Sequence, residues 1–275
     1  MPSLNNRILR GAIAASVVAS CSSMASAGVG DLLVAPTRLV LDNGKGTEVV
    51  LNNIGDEPAT YRISVEFRRM TASGDLVEVT EPTAAEKAAA DMIVYAPRRV
   101  TLPPHQPQAI RIAARPPAGL PDGEYRVHLL FRAIPPATPV TQASGEAEKG
   151  LKLQLIPVYG VTIPVIVRVG NLQAKSALAD VKLEKVNGRP AIGLDLGRTG
   201  TRSTYGEIRV LKAGVKDPIA LQRGIAVYTE VGQRHVAIPV SADFKGDVTG
   251  PVTVQYYETD QTGSEKVAET QAVIR

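Results

Sequence analysis

Residues 151–169 read Leu151-Lys152-Leu153-Gln154-Leu155-Ile156-Pro157-Val158-Tyr159-Gly160-Val161-Thr162-Ile163-Pro164-Val165-Ile166-Val167-Arg168-Val169. Every odd position is apolar. The even positions mix Lys152, Gln154, Gly160, Thr162 and Arg168 with Ile156, Val158 and Ile166. Alternation with a period of two places one set of side chains on one face of an extended strand. Ordinary strands run about 5–6 residues, so this one is long. Pro157 and Pro164 cannot donate to a ladder and belong on an edge strand or at bulges. A long apolar edge templates pairing with other chains. Its retention points to such pairing as the task of the segment. A buried strand of an ordinary sandwich accounts for the apolar positions, but less readily for the length.

Short alternating runs lie on both sides of this stretch. Before it, extended segments are expected at 32–41, 49–54, 61–67, 77–79, 95–100, 109–113 and 125–134. Asn52-Asn53-Ile54-Gly55-Asp56-Glu57-Pro58 reads as a turn. Residues 84–91 are alanine-rich but lie between Pro82 and Pro97, and are read as a helical turn or loop. Residues 135–150 have the Pro, Thr, Ser and Gly content of a mobile loop. After the long stretch, strands are expected at 179–185, 190–196, 205–212, 220–227, 235–240, 252–258 and 266–274. Turns are expected at 187–188, 197–200, 231–232 and 246–250. About seven short strands per half predict an all-β chain of two β-sandwiches. The expected division is a leader at 1–27, a first domain at 28–168 and a second at 169–275, with a hinge near 167–174.

The chain has 275 residues, no tryptophan and three phenylalanines, so its core must be built from Val, Ile, Leu and Tyr. Arg7 and Arg10, an apolar small-residue run at 11–20 and Ala25-Ser26-Ala27 form the pattern of a secretory signal peptide. Val18-Ala19-Ser20-Cys21 offers the alternative of a lipidated Cys21, although leucine is missing from that box. Cys21 is the one cysteine, so no internal disulfide forms. Removing two leader arginines from a net charge of +4 leaves +2. With no run of Lys or Arg, the sequence gives no sign of a nucleic-acid surface. No later run is long and apolar enough to insert into a membrane as a helix.

An enzyme needs converging reactive groups, and the sequence offers none. His105, His128 and His235 are scattered, with no metal-ligand spacing; His128, between Val127 and Leu129, is expected as a structural or surface strand residue. Asp195 and Asp217 adjoin Gly or Pro turns and are read as solvated. No phosphate loop, Gly-x-Ser-x-Gly or His-Glu-x-x-His occurs. The expectation is a non-enzymatic chain with no cofactor and no metal. Arg38, in Val34-Ala35-Pro36-Thr37-Arg38-Leu39-Val40-Leu41, reads on its own as a polar residue on the solvent face of the first strand.

Ala35-Pro36-Thr37-Arg38, the Asn52-Asn53 turn, the Leu102–Pro107 loop and Glu124-Tyr125-Arg126-Val127-His128-Leu129-Leu130-Phe131-Arg132-Ala133-Ile134-Pro135-Pro136 resemble the periplasmic pilus-assembly chaperones of the bacterial chaperone–usher pathway. The likeness covers most of the first domain; the second matches in architecture only. It implies two immunoglobulin-like domains in a boomerang, located in the periplasm. It also implies pilin subunits as clients, bound by donor-strand complementation and passed to an outer-membrane usher. By this resemblance Leu151, Leu153 and Leu155 are donor side chains, with Tyr159 a fourth. Arg38 matches the family's carboxylate-binding arginine. The family's lysine falls at Pro164, a departure that leaves Arg168 or Arg132 as candidates for a second cation and marks a divergent branch. Self-pairing of unliganded chains is one way to hide the edge. The competing expectation is an exported two-domain surface lipoprotein or adhesin-like binding protein, which needs no donor strand.

Overall fold

A computed structural model describes residues 31–42, 45–135, 158–260 and 262–275. In the first sandwich one sheet runs in the order β1 (Leu32–Ala35), β3 (Thr47–Asn53), β9 (Pro107–Ala114), β7 (Ile93–Ala96). The facing sheet runs β2 (Leu39–Asp42), β11 (Gly160–Val169), β10 (Gly123–Ile134), β4 (Ala59–Glu66), β8 (Arg99–Leu102). All pairings are antiparallel except that of β2 with β11. This order is that of the immunoglobulin sandwich. The second sandwich sets β12 (Ala174–Val186), β13 (Arg189–Gly200) and β16 (Gln233–Pro239) against β15 (Ala220–Val227), β14 (Thr204–Leu211), β17 (Gly250–Thr259) and β18 (Ser264–Ile274). A small hairpin, β5 (Arg68–Met70) with β6 (Leu76–Glu78), and the helix α1 (Ala84–Met92) complete the first half. The fold is all-β, with two immunoglobulin-like sandwiches.

Alternation builds each core. Val49, Leu51, Ile110 and Ile112 face Tyr61, Ile63, Leu129, Phe131, Ile163 and Val165 across the first sandwich. Ile192, Leu194, Leu196, Ile208, Val210, Val254 and Tyr256 fill the second. Each fully buried aliphatic or aromatic side chain contributes roughly 1.5–3 kcal/mol relative to exposure. Both cores are thus the Val, Ile, Leu and Tyr cores expected from composition, with Phe131 added.

Several local expectations need correction. The segment 32–41 is not one strand: the chain bends at Pro36 and Thr37, and β1 and β2 enter different sheets. Residues 95–100 likewise divide at Pro97 and Arg98 into β7 and β8, again in different sheets. A proline cannot continue a ladder, and the sheet switch follows. Residues 84–92 form a nine-residue helix rather than a turn. Thr83 caps it and Glu86 closes a capping box, while Ala89 and Met92 are buried. Residues 197–200 are not a turn but the end of β13, held by Arg198, which donates to the carbonyls of Gly200, Arg202 and Thr229. Asn187-Gly188 is the expected tight hairpin: both residues have positive φ, the requirement of a type I′ turn. The loop expected at 135–150 lies, from residue 136 on, outside the described residues.

Asp195 is not a solvated turn residue. His235 on β16 meets Asp195 on β13 through Nδ1 at 2.8 Å and Glu184 on β12 through Nε2 at 3.2 Å, cross-linking three strands. Glu184 reaches across Gly193, where an added Cβ would stand 2.3 Å from its carboxylate carbon. The hydrogen bond donated to Asp195 is the main reason that the imidazole pKa is raised. Its stabilisation is therefore fully present below the unfolded value near 6.5 and is lost as pH rises through the folded value. His235→Ala is expected to lower the melting temperature at pH 6 and have little effect at pH 9. Gly193→Ala should weaken the same pH dependence by displacing Glu184. Equal effects of His235→Ala at both pH values would exclude the charged clamp.

Candidate functional site

β11 is an interior strand along half its length and an edge along the other half. Gly160 to Val169 pairs with Arg132 to Gly123 on β10. On its other side β2 pairs only with Val165 to Arg168. Among the described residues nothing pairs with 160–164 on that side. Pro164 lies at the end of this unpaired stretch, immediately before β2 takes over, where its missing N–H breaks no ladder with β2. Carrying the parallel register of Val165 with Leu39 back one step sets Pro164 beside Arg38. The unpaired edge therefore ends at Arg38.

Arg38 sits in the bend just before β2, not on the first strand's solvent face, and is half-buried between the sandwiches. Its Nη2 donates one long hydrogen bond, 3.4 Å, to Ser203 Oγ of the second domain. Its guanidinium lies 4.7 Å from the Tyr205 ring centroid, within cation–π range. Nη1 is buried with no hydrogen-bond partner. Burial pulls the Arg38 pKa below its ordinary value, against the opposing influence of Tyr228 and Glu124.

The neighbouring cations are already committed. Arg168 Nε donates to Glu124 Oε2 at 3.1 Å and its Nη2 to the Ser203 carbonyl at 3.3 Å. Glu124 Oε2 also accepts the Ser203 backbone N–H at 3.0 Å. Ser203, fully buried, thus ties both arginines to the second domain. Arg202 is paired with Glu258. Arg38, Arg168 and Arg202 line a cleft of about 530 Å³ together with Tyr205 and the acidic Asp42, Glu258 and Asp260. The cleft can receive an anion at Arg38, with Arg168 next to it.

Below the cleft the outward face of the β11–β10–β4 sheet is covered by the second domain. Ile166 and Met70 pack with Ala226 and Tyr228. Arg126 stacks on Tyr228 at 3.7 Å and pairs with Glu230 at 2.5 and 3.1 Å. Burial opposes ionisation of Glu230, but the hydrogen bonds and charge of Arg126, together with the Met70 backbone N–H, outweigh it and hold the carboxyl below its ordinary range. The Met70 backbone N–H also donates to Glu230 at 2.7 Å, so the β5–β6 hairpin is clamped to the second domain.

No family model and no curated protein matches this chain. Solved structures do. The E. coli chaperone DraB is 16% identical, over 89% of this chain and 96% of that one, with a TM-score of 0.45. The YadV chaperone is 14% identical over 88% and 99%, with a TM-score of 0.46. A chain of the CsuC–CsuE chaperone–tip adhesion subunit complex from archaic chaperone–usher Csu pili of Acinetobacter baumannii is 13% identical over 88% and 97%, with a TM-score of 0.43. With TM-scores below 0.5, these likenesses say nothing of the site.

Of the residues singled out in the sequence, the structure brings Arg38 and Arg168 to one cleft. Arg132 lies elsewhere, opposite Gly160 at the far end of β10 and exposed. Tyr159 is exposed just before β11, with its carbonyl accepting the Ala133 N–H. Leu151, Leu153 and Leu155, and Pro157, lie outside the described residues. Among the described residues no group of His, Cys, Asp and Glu is suited to hold a metal ion, and no helix is long and apolar enough to cross a membrane. Sequence reasoning missed Glu124, Ser203, Tyr205 and Tyr228. Nothing local marks them, because each acts on a residue of the other domain.

His128 is a structural strand residue rather than a surface one: it is 1% exposed, with both ring nitrogens unpartnered. It sits opposite Pro164 and Glu66 on the covered face. Burial, reinforced by Arg126 and Arg68, pushes its pKa down to about 3. The folded state holds it neutral, so stability is full above pH 6.5 and falls as the pH drops toward 3. The expected loss is about 1.4 kcal/mol per pH unit in that window. His128→Leu should flatten this acid limb in denaturant titrations. An unchanged acid limb would remove His128 as its cause.

Proposed function

We propose that this chain is a periplasmic chaperone of pilus assembly that holds incomplete pilin subunits on its strand edge and hands them to an outer-membrane usher. The observation that carries the reading is the unpartnered, buried Nη1 of half-buried Arg38 at the end of an unpaired strand edge. A strand laid along 160–164 occupies the lane that β2 occupies further on. It then runs parallel to β11 and ends at Arg38. A chain terminus arriving there brings a carboxylate to a guanidinium that can bind it through two N–H groups. Arg168, oriented by Glu124 and Ser203, is the second cation in place of a lysine. Upstream, Leu151, Leu153 and Leu155, followed by Tyr159, continue the strand and fill apolar pockets of the client. Main-chain hydrogen bonds then supply affinity and alternate side chains supply selectivity.

The test is co-expression of the tagged, exported chain with the exported β-rich subunits encoded beside it. Purification from the cell envelope is expected to return a stable complex with at least one subunit, and that subunit should be degraded or aggregated when the chain is omitted. Recovery of the chain alone, with subunits equally stable without it, would overturn the reading.

A further inference from the structure

Three arginines stand directly opposite one another on adjacent strands. Arg132 on β10 pairs in register with Arg62 on β4, and Arg62 pairs with Arg99 on β8. All three side chains are exposed, on the outward face of the sheet. Their neighbours in sequence, Phe131, Ala133, Tyr61, Ile63 and Val100, point into the core. None of the three forms an ion pair among the described residues. Like charges directly opposite each other on a sheet are destabilising. The flanking cross-strand row is neutral: Thr60 bonds Thr101 at 2.9 Å. The covered half of this face, around Arg126, Ile166 and Arg168, is packed against the second domain. The arginine row lies on the other half.

The row leads to the unpaired edge. The residue opposite Arg132 on β11 is Gly160, the first of the unpaired stretch. Gly160 has no side chain of its own; Leu130 Cδ1 lies 2.9 Å from where a Cβ there would stand, so Arg132 reaches a strand added at that edge past Leu130. Two strand spacings are about 9.6 Å, a distance that an extended arginine and a facing glutamate bridge together. From this continuity and charge we propose that Arg132, Arg62 and Arg99 form a recognition strip for acidic side chains of the bound subunit. The matching acidic residue lies about four residues before the subunit's C-terminus, since Gly160 is four positions from Pro164, beside Arg38, and both strands share the same rise per residue. Further acidic groups of the subunit surface meet Arg62 and Arg99. The inference rests on the proposed subunit-binding edge.

The experiment uses a subunit recovered from the wild-type complex, unfolded in urea and diluted into fresh chaperone. Association is followed for the wild type, for Arg62→Gln/Arg99→Gln/Arg132→Gln, and for the corresponding triple Glu variant. Wild-type association should slow at least tenfold when salt is raised from about 0.05 to about 0.5 M. The Gln variant should associate about tenfold more slowly at low salt and show little salt dependence, and the Glu variant should be slower still. Melting temperatures of the Gln variant should be equal to or above the wild type, because a repulsive row has been removed. Wild-type rates and salt dependence in both variants, with Arg38→Ala still unable to bind, would overturn the strip and leave the subunit-binding reading intact. Loss of binding to vesicles of anionic lipid in the Gln variant, with subunit association unchanged, would assign the row to a membrane surface and also overturn it. Failure of the wild type to bind any subunit would instead defeat the reading on which the strip rests.

Discussion

Replacing Arg38 with alanine is expected to abolish subunit retention while leaving a folded chain. Arg38 makes one 3.4 Å hydrogen bond to Ser203 and stacks over Tyr205. Contacts of that kind contribute about 1 kcal/mol to stability. Losing the charge-assisted, partly desolvated bond to a chain terminus costs roughly 2–5 kcal/mol of binding, about 30- to several-thousand-fold in affinity. Arg38→Lys should recover only part of this, because an ammonium keeps the charge but not the planar pair of donors. Co-purification separates the outcomes and a thermal melt checks the fold. Normal retention by Arg38→Ala would remove the carboxylate anchor, and unfolding of the variant would make Arg38 an interdomain strut instead.

The second large effect is expected at the alternating leucines. Leu153→Glu or Leu155→Glu places a charge in an apolar groove that cannot pair it, a cost of several kcal/mol. Gln154→Glu puts the same charge on the opposite face of the strand and should leave binding nearly unchanged. Extended geometry, not hydrophobicity alone, predicts this contrast between odd and even positions. Subunits should be degraded or aggregated in the leucine variants only. Equal effects at 153, 154 and 155 would indicate general destabilisation, and no effect at any of them would remove strand donation.

The first effect depends on a residue whose surroundings are set by pairing rather than by composition. At Arg38 the sequence pattern favours a solvent-facing strand residue, and only the resemblance suggests otherwise. The structure places it in a bend, because the chain breaks at Pro36 and changes sheets. Its one hydrogen bond is donated to Ser203, far along the chain. The cleft at Arg38 is therefore a product of domain docking.

By itself the sequence determined the all-β class, the division into two sets of short strands and most strand positions. These follow from local rules: period-two burial, Gly and Pro punctuation, and the Asn187-Gly188 hairpin. It also marked 151–169 as a long strand, of which Gly160–Val169 forms β11 and 151–157 lie outside the described residues. It did not show that Ile166 and Val167 are both buried on opposite faces, one under the second domain and one in the core. Nor did it reveal an arginine row, since Arg62, Arg99 and Arg132 are scattered in sequence and meet only through strand register. The tertiary structure decided which half of β11 stays unpaired, that Arg38 Nη1 is buried without a partner and which carboxylates meet His235. Each depends on contacts between segments distant in sequence, and alternation along one strand carries no information about which strand, or which domain, will lie beside it.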